Sequence, residues 1–175
     1  MKWEILNSSF PFSSKWLTVR RDHVRMPSGH EMDDFYVLEY PDWVNVIAIT
    51  TDGKFVLEEQ YRHGIQRINY ELCAGCVENE ESPLSAAQRE LLEETGFSGG
   101  HWTEFMLSSP NPNSMNNLCH TFLAIGVQKL RAPMPESSED IIVHLLSRDE
   151  IIKLLNNSSI IEGIMQASLW KYLNM

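Results

Sequence analysis

The chain has 175 residues, of which 43% are hydrophobic and 22% are charged, and this composition excludes a largely disordered protein. The length fits one domain with at most a small appended subdomain. The formal net charge of -10 argues against binding the outside of a nucleic-acid duplex, which requires a basic stripe. A phosphate substrate remains compatible with that charge, because bound divalent cations reverse the sign locally.

No apolar run approaches the roughly 20 residues that a membrane span requires. The N-terminal stretch MKWEILNSSFPFSS lacks the apolar segment of a signal peptide. Three cysteines, an odd number, do not suggest a disulfide framework. We therefore expect a cytoplasmic protein that contacts neither membranes nor nucleic acid.

Residues 1–43 are predicted to form a small β-subdomain of two or three strands. Lys15–Arg25 alternates apolar and polar residues at its start, a Pro-Ser-Gly turn signal follows, and Asp34–Tyr40 is rich in aromatic and β-branched residues. The remaining residues, 44–175, are predicted to form an α+β domain in which a mixed sheet packs between helices. Its predicted strands are Trp43–Thr51, Lys54–Gln60, Asn69–Leu72, His101–Ser109, Cys119–Val127 and Ile141–Ser147, and its predicted C-terminal helices are Arg148–Asn156 and Ile160–Asn174.

A further helix is predicted between Ser82 and Gly96. Ser82 is a favourable N-cap, Pro83 suits the first helical position, and Gly96 suits the left-handed conformation that ends a helix. Helical spacing predicts an apolar stripe formed by Leu84, Ala87 and Leu91.

The same helix brings carboxylates together. At about 100° per residue, Glu90, Glu93 and Glu94 lie on one flank, and Arg89 is four residues before Glu93 and can hold it. A cluster of hard oxygen ligands suits Mg²⁺ or Mn²⁺. The alternative interpretation is a solvated helix face.

The whole stretch follows the pattern G-x5-E-x7-R-E-U-x-E-E-x-G-U, in which U is aliphatic or aromatic. The constrained positions are Gly75, Glu81, Arg89, Glu90, Leu91, Glu93, Glu94, Gly96 and Phe97. This pattern resembles the signature of the Nudix hydrolases and implies the Nudix fold, an α/β/α sandwich with a mixed β-sheet. It also implies metal binding by Glu90, Glu93, Glu94 and the carbonyl of Ala74.

Two further residues of the pattern, Glu81 and Arg89, lie beside these ligands in this interpretation. Glu81 either joins the metal site, directly or through water, or only pairs with Arg89. Arg89 orients the glutamates, and we count it with Glu93 among the catalytic residues.

Two further segments indicate which group within the Nudix family the chain resembles. Glu59–Arg62 reads EQYR and Glu71–Gly75 reads E-L-x-A-G, which resemble the ADP-ribose pyrophosphatase and nucleoside diphosphate sugar hydrolase group. Members of that group have an N-terminal β-subdomain and form homodimers by exchanging it. Arg62 is expected to hold a substrate phosphate, or alternatively to pair with a nearby glutamate.

The group also carries a proline after the signature, which corresponds to Pro112 and predicts a substrate contact. Cys73 stands where the group usually has proline, so the exact sugar or nucleotide stays open. The catalytic base of the group lies on a loop before a late strand, which predicts Glu139 first and Glu136 second. The alternative for this segment is a solvated acidic loop.

The cysteines and aromatic residues allow other interpretations. Cys73 and Cys76 form a CxxC that, with Cys119 and His120, has the composition of a Cys3His zinc site, although buried inert thiols are the default expectation. Aromatic residues that could stack on a nucleobase are Trp16, Phe35, Tyr36, Tyr40 and Trp43.

The resemblance as a whole implies Mg²⁺-dependent, or Mn²⁺-dependent, cleavage of the diphosphate of a nucleoside diphosphate sugar. ADP-ribose, cleaved to AMP and ribose 5-phosphate, is the best single expectation. The alternatives are GDP-mannose, a UDP-sugar or another nucleotide, and a Nudix-fold ligand sensor without catalysis.

Overall fold

The structure, a computed structural model, describes residues 1–15, 17–135 and 140–175. Contacts divide these residues into two compact units. The first unit consists of Met1–Pro41 and Ser109–Leu118, and the second consists of Asp42–Ser108 and Cys119–Met175.

The first unit is built on a three-stranded antiparallel sheet in the order β1-β2-β3. Its strands are β1 (Glu4–Ser13), β2 (Thr18–Arg25) and β3 (Glu31–Glu39). The sequence did not predict that the later segment Ser109–Leu118 belongs to this unit. That segment joins β3 by a hydrogen bond of 2.7 Å from Leu38 N to Ser114 O.

The second unit contains an eight-stranded mixed sheet within the described residues. Strands β4 and β10 are parallel, and every other pairing is antiparallel. The strands are β4 (Trp43–Thr50), β5 (Phe55–Arg62), β6 (Arg67–Glu71), β7 (Cys73–Cys76), β8 (Phe97–Ser98), β9 (His101–Ser108), β10 (Cys119–Lys129) and β11 (Ile141–Leu146).

Strand β4 has two different partners along the same edge. Ala48 and Ile49 pair with β5, whereas the start of the strand, Trp43–Val46, pairs with β7. The far end of β5 pairs with β6 instead. The sheet therefore divides between β5 and β7, and this division positions the candidate site.

Three helices cover the two faces of this sheet. Helix α1 (Pro83–Glu90) packs on one face, where Ala86, Ala87 and Val46 belong to one buried cluster. Helices α2 (Arg148–Asn156) and α3 (Gly163–Leu173) pack on the other face. The predicted α/β/α sandwich is confirmed.

Two details of the predicted helices are wrong. Leu84 is 40% exposed, and Ala86 takes its place in the core beside Ala87. The C-terminal helix begins at Gly163 rather than residue 160, because the Glu162 carboxylate accepts hydrogen bonds from the N–H groups of Ile164 and Met165. No helix among the described residues is both long enough and apolar enough to cross a membrane.

Candidate active site

The helix that bears the glutamates begins and ends as predicted. The Ser82 hydroxyl accepts a hydrogen bond of 3.1 Å from Ser85 N, and Pro83 is the first helical residue. After Glu90 the helix continues as a π-helical turn, Leu91–Thr95, which ends at Gly96 in the left-handed conformation with φ of 73°. Short π-helical turns of this kind often occur at functional sites.

The three glutamates differ in exposure. Glu94 is 3% exposed, whereas the side chains of Glu90 and Glu93 are 13% and 42% exposed. Regular helical spacing accounts for this inward position, because Glu94 lies seven residues after Ala87 and three after Leu91, and both of those residues are buried.

Glu90 and Glu94 approach the strand that contains the glycine of the pattern. A Cβ atom at Gly75 would lie 1.9 Å from Glu90 Oε1, so only glycine allows this approach. Ala74 N donates a hydrogen bond of 3.2 Å to Glu94 Oε2. Strand β7 and the glutamate helix are therefore in direct contact at Ala74 and Gly75.

Arg89 connects the remaining carboxylates. Its guanidinium lies 3.0 Å from Glu81 Oε2, 2.9 Å from Glu90 Oε1 and 3.2 Å from Glu93 Oε2. Hydrogen bonding to Arg89 lowers the pKa of Glu81, and the same bonds raise the pKa of Arg89. The structure thus brings four of the predicted residues into one ionic cluster, and the arginine is positioned to hold each glutamate.

Arg62 pairs with a glutamate and also faces the candidate site. Its Nε lies 2.9 Å from both carboxylate oxygens of Glu71, whose side chain is 3% exposed. Asn69 donates a further hydrogen bond of 3.1 Å to Glu71. The guanidinium is therefore held in a defined orientation while its side chain stays 45% exposed.

A cavity of about 620 Å³ opens where the sheet divides. Arg62, Glu71, Ala74 and Gly75 line it on the side of β5, β6 and β7. Its apolar wall is formed by Trp43, Ile65, Ile161, Ile164 and Met165. A volume of this size is typical of small-molecule sites.

The sequence pattern did not indicate Glu58, which lies close to Cys73 and Glu94. Glu58 is 0% exposed, and no donor group within the described part of the chain lies within hydrogen-bond distance of its carboxylate oxygens. Burial, and then the charge of Glu94 and a hydrogen bond between the two carboxyl groups, raise the pKa of Glu58 well above its usual range. Strand alternation could have predicted the burial of Glu58, because its side chain must lie on the same face of β5 as that of the apolar residue Val56.

Several predicted residues lie elsewhere. Pro112 lies in the first unit, where it lines a separate hollow of about 350 Å³ with Trp3 and Phe35. Glu136 and Glu139, the two candidates for the catalytic base, lie outside the described residues, as does Trp16. Of the aromatic candidates, Trp43 lines the cavity of the second unit.

The cysteines do not assemble the Cys3His set. Among the described histidines, cysteines and acidic residues, the group whose ligand atoms converge within 4.8 Å consists of Glu58, Cys73 and Glu94. Cys73 and Cys119 are buried free thiols and Cys76 is an exposed one. Burial raises the pKa of Cys119 to about 12.

Comparison with known families agrees with this geometry. Residues 39–166 match the model of the NUDIX domain, and residues 3–38 match the model described as the nucleoside diphosphate sugar hydrolase N-terminal domain. The chain therefore belongs to the Nudix family. Its relatives and its intact signature make it a Nudix pyrophosphatase, a hydrolase that acts on a phosphoanhydride.

Three curated relatives cover most of the chain. It is 28% identical over 154 residues to the ADP-ribose pyrophosphatase of Bacillus subtilis, covering 87% of this chain and 82% of that protein. It is 30% identical over 154 residues, with the same coverage of 87% and 82%, to the methanol dehydrogenase activator of Bacillus methanolicus. It is 29% identical over 138 residues to the ADP-ribose pyrophosphatase of Mycobacterium tuberculosis, covering 78% of this chain and 66% of that protein.

A solved structure supports the fold. The crystal structure of an ADP compounds hydrolase superposes with a TM-score of 0.85 at 21% identity, covering 97% of this chain and 91% of that one. At this identity the similarity establishes the Nudix fold alone.

Proposed function

We propose that the protein hydrolyses the diphosphate of a nucleoside diphosphate sugar in the presence of Mg²⁺ or Mn²⁺. ADP-ribose is the substrate we favour, with AMP and ribose 5-phosphate as products. Two relatives named ADP-ribose pyrophosphatase and the match of residues 3–38 to a nucleoside diphosphate sugar hydrolase domain support this choice.

The proposal rests above all on the approach of Glu90 to Gly75 and of Glu94 to Ala74 beside the cavity that Arg62 lines. This arrangement places acidic oxygens and a backbone segment next to a guanidinium. A diphosphate needs both partners, because cations must neutralise its charge and a donor must fix its orientation.

The donor set fits a hard divalent cation. Glu90, Glu94 and Glu93, with the carbonyl of Ala74 and with Glu81, would hold it through oxygen atoms, which Mg²⁺ and Mn²⁺ prefer. When bound, the cation supplies positive charge against the diphosphate oxygens. The missing side chain at Gly75 leaves room for Glu90 beside the backbone.

The chain's own residues supply the other functions. Arg62 binds a phosphate with the guanidinium edge that Glu71 does not occupy, and Arg89 keeps the glutamates in place. The family resemblance also makes Pro112, in the first unit, a candidate substrate contact. Glu139, or Glu136 in second place, accepts the proton of the attacking water. The protein is proposed to act as a homodimer in the cytoplasm.

A substrate panel tests the proposal. Purified protein with Mg²⁺ or Mn²⁺ is incubated with ADP-ribose, GDP-mannose, UDP-glucose, a dinucleoside polyphosphate and a nucleoside triphosphate, and released monophosphate or phosphate is measured. We expect ADP-ribose to be the best substrate. No turnover of any compound with either metal would contradict catalysis and favour a ligand sensor.

Replacing Glu94 with Gln tests the metal assignment. We expect kcat to fall by about 100-fold or more, because a neutral amide is a poor ligand for Mg²⁺. The melting temperature should not decrease, because the amide oxygen still accepts the hydrogen bond from Ala74 N. Glu104→Gln, at a side chain that is 60% exposed on β9, is the matched control. Near-normal activity of Glu94→Gln would refute the assignment.

A further inference from the structure

Glu58 is an unusual residue for the interior of a sheet. It lies on β5 between Leu57 and Glu59, is 0% exposed, and no donor group among the residues described lies within hydrogen-bond distance of its carboxylate oxygens. A buried carboxyl group without a partner costs free energy, so its position requires a physical reason. Nothing in the proposed hydrolysis uses it.

Two further ligand atoms lie beside this carboxylate. Cys73 Sγ on β7 and a carboxylate oxygen of Glu94 lie with a Glu58 oxygen in a group whose members are all within 4.8 Å of one another. The three residues come from β5, β7 and the π-helical turn. Burial raises the pKa of the Cys73 thiol.

The composition of this group differs from that of the hydrolytic site. Glu90, Glu93 and Glu81 offer only oxygen, whereas Cys73 adds a sulfur ligand. Thiolates select softer divalent ions over Mg²⁺, and Zn²⁺ binds thiolate, carboxylate and imidazole together in proteins.

We propose that Glu58, Cys73 and Glu94 form a second cation site that binds a thiophilic divalent ion, of which Zn²⁺ is the representative. Binding replaces the proton on the Cys73 thiol and the proton on Glu58, and both protons go to solvent. Three protein ligands leave a fourth position open in a tetrahedral site. Bound metal also supplies positive charge beside the buried Glu58 carboxylate, which no donor group among the described residues reaches.

This site adjoins the hydrolytic one. Cys73 precedes Ala74, which lines the cavity and donates a hydrogen bond to Glu94. Because Glu94 belongs to both groups of ligands, Zn²⁺ at the second site removes it from the Mg²⁺ site. The resulting inhibition of hydrolysis by Zn²⁺ rests on the proposed function, whereas the binding itself does not.

Cobalt titration tests the binding without any substrate. Co²⁺ substitutes for Zn²⁺, and coordination by a thiolate produces a sulfur-to-cobalt charge-transfer band in the near ultraviolet. We expect the full-length protein to develop this band with one equivalent of Co²⁺ and to lose it on addition of Zn²⁺. Mg²⁺ alone, which has no charge-transfer transition with a thiolate, should produce no band.

Variants locate the ligands. Cys73→Ala should lose the band, and Glu58→Gln should weaken Co²⁺ binding by at least about tenfold, as loss of a group that supports a metal typically does. Cys119→Ala, at another buried free thiol, and Cys76→Ala, at the exposed one, are the controls and should keep the band. Circular dichroism checks that each variant is folded. If Cys73→Ala does not fold, the Co²⁺ affinity of Glu58→Gln decides whether these residues bind the ion.

Two outcomes would overturn the proposal. A wild-type protein that develops no charge-transfer band would mean that Glu58 is a neutral carboxylic acid in the core. A band that persists in Cys73→Ala, or unchanged affinity in Glu58→Gln, would place the ion elsewhere. Since no hydrolysis is measured, failure of the proposed enzymatic function would leave this result unaffected.

Discussion

At the level of single residues, the close approach of Glu90 to β7 depends on the glycine at position 75. A Cβ at Gly75 would lie 1.9 Å from Glu90 Oε1, but the clash involves the end of a flexible side chain. Glu90 can move away at little cost to the fold. A substitution here should therefore separate catalysis from stability.

Gly75→Ala is predicted to lower kcat by about tenfold or more, because a displaced ligand no longer reaches the cation in its productive geometry. The melting temperature should change little. Gly163→Ala is the control, since an added Cβ there meets no atom within 4 Å. Steady-state kinetics and thermal unfolding measure the two effects, and full activity in Gly75→Ala would contradict the close approach.

The pair of Arg62 and Glu71 allows a structural role to be separated from a substrate contact. Glu71 is buried, so Arg62→Ala leaves a carboxylate that is satisfied only by Asn69. We expect a loss of about 2 kcal/mol in the free energy of unfolding and a raised KM.

The double variant Arg62→Ala with Glu71→Gln should recover most of the stability, because the buried charge is gone, while KM stays high. Urea denaturation and substrate saturation curves give the two quantities. Recovery of KM together with stability would assign Arg62 to folding alone.

At the level of secondary structure, a short helix and a π-helical turn position three glutamates. Ser82 accepts a hydrogen bond from Ser85 N at the start, and Gly96 in the left-handed conformation ends the segment. Local residue chemistry explains both ends. The inward direction of Glu94 also follows from helical spacing, because this residue lies seven residues after Ala87 and three after Leu91. The π-helical turn itself was not predicted from the sequence.

Ser82→Ala is predicted to destabilise the protein by about 1 kcal/mol, and Ser82→Gly by only a few tenths of a kcal/mol, because glycine is tolerated at the N-cap. Both values come from urea denaturation of the full chain. Equal effects of the two substitutions would indicate that the serine acts through packing rather than as a cap.

At the level of the whole molecule, a divided sheet produces the cavity. Strand β4 pairs with β5 at one end and with β7 at the other, which leaves a gap lined by Arg62 and Gly75. The first unit exposes large apolar side chains, among them Phe10 and Phe12 at 57% and 52%. Such exposure is typical of a surface that another chain covers.

The expected homodimer gives a direct test. Light scattering at micromolar concentration should yield twice the chain mass of 20.2 kDa, and Phe10→Ser should shift the protein toward monomer. Leu130→Ser, at a side chain that is 69% exposed in the second unit, is the control and should leave the mass unchanged. A monomeric wild-type protein would refute the prediction.

Local chemistry predicted much of this protein. Caps, turns and strand alternation do not depend on distant residues, so the start of α1, the helix end at Gly96, the boundaries of α2 and the family signature could be inferred from the order of residues. The convergence of Glu90 and Glu94 on the glycine strand followed from the family resemblance, and their roles stay predictions.

Features that depend on strand pairing could not be inferred in this way. The pairing of Arg62 with Glu71, the burial of Glu58 beside Cys73 and the place of Ser109–Leu118 in the first unit all join residues far apart in the chain. Such contacts form only when the sheet brings particular strands together, and a one-residue change of register would send these side chains to the opposite face.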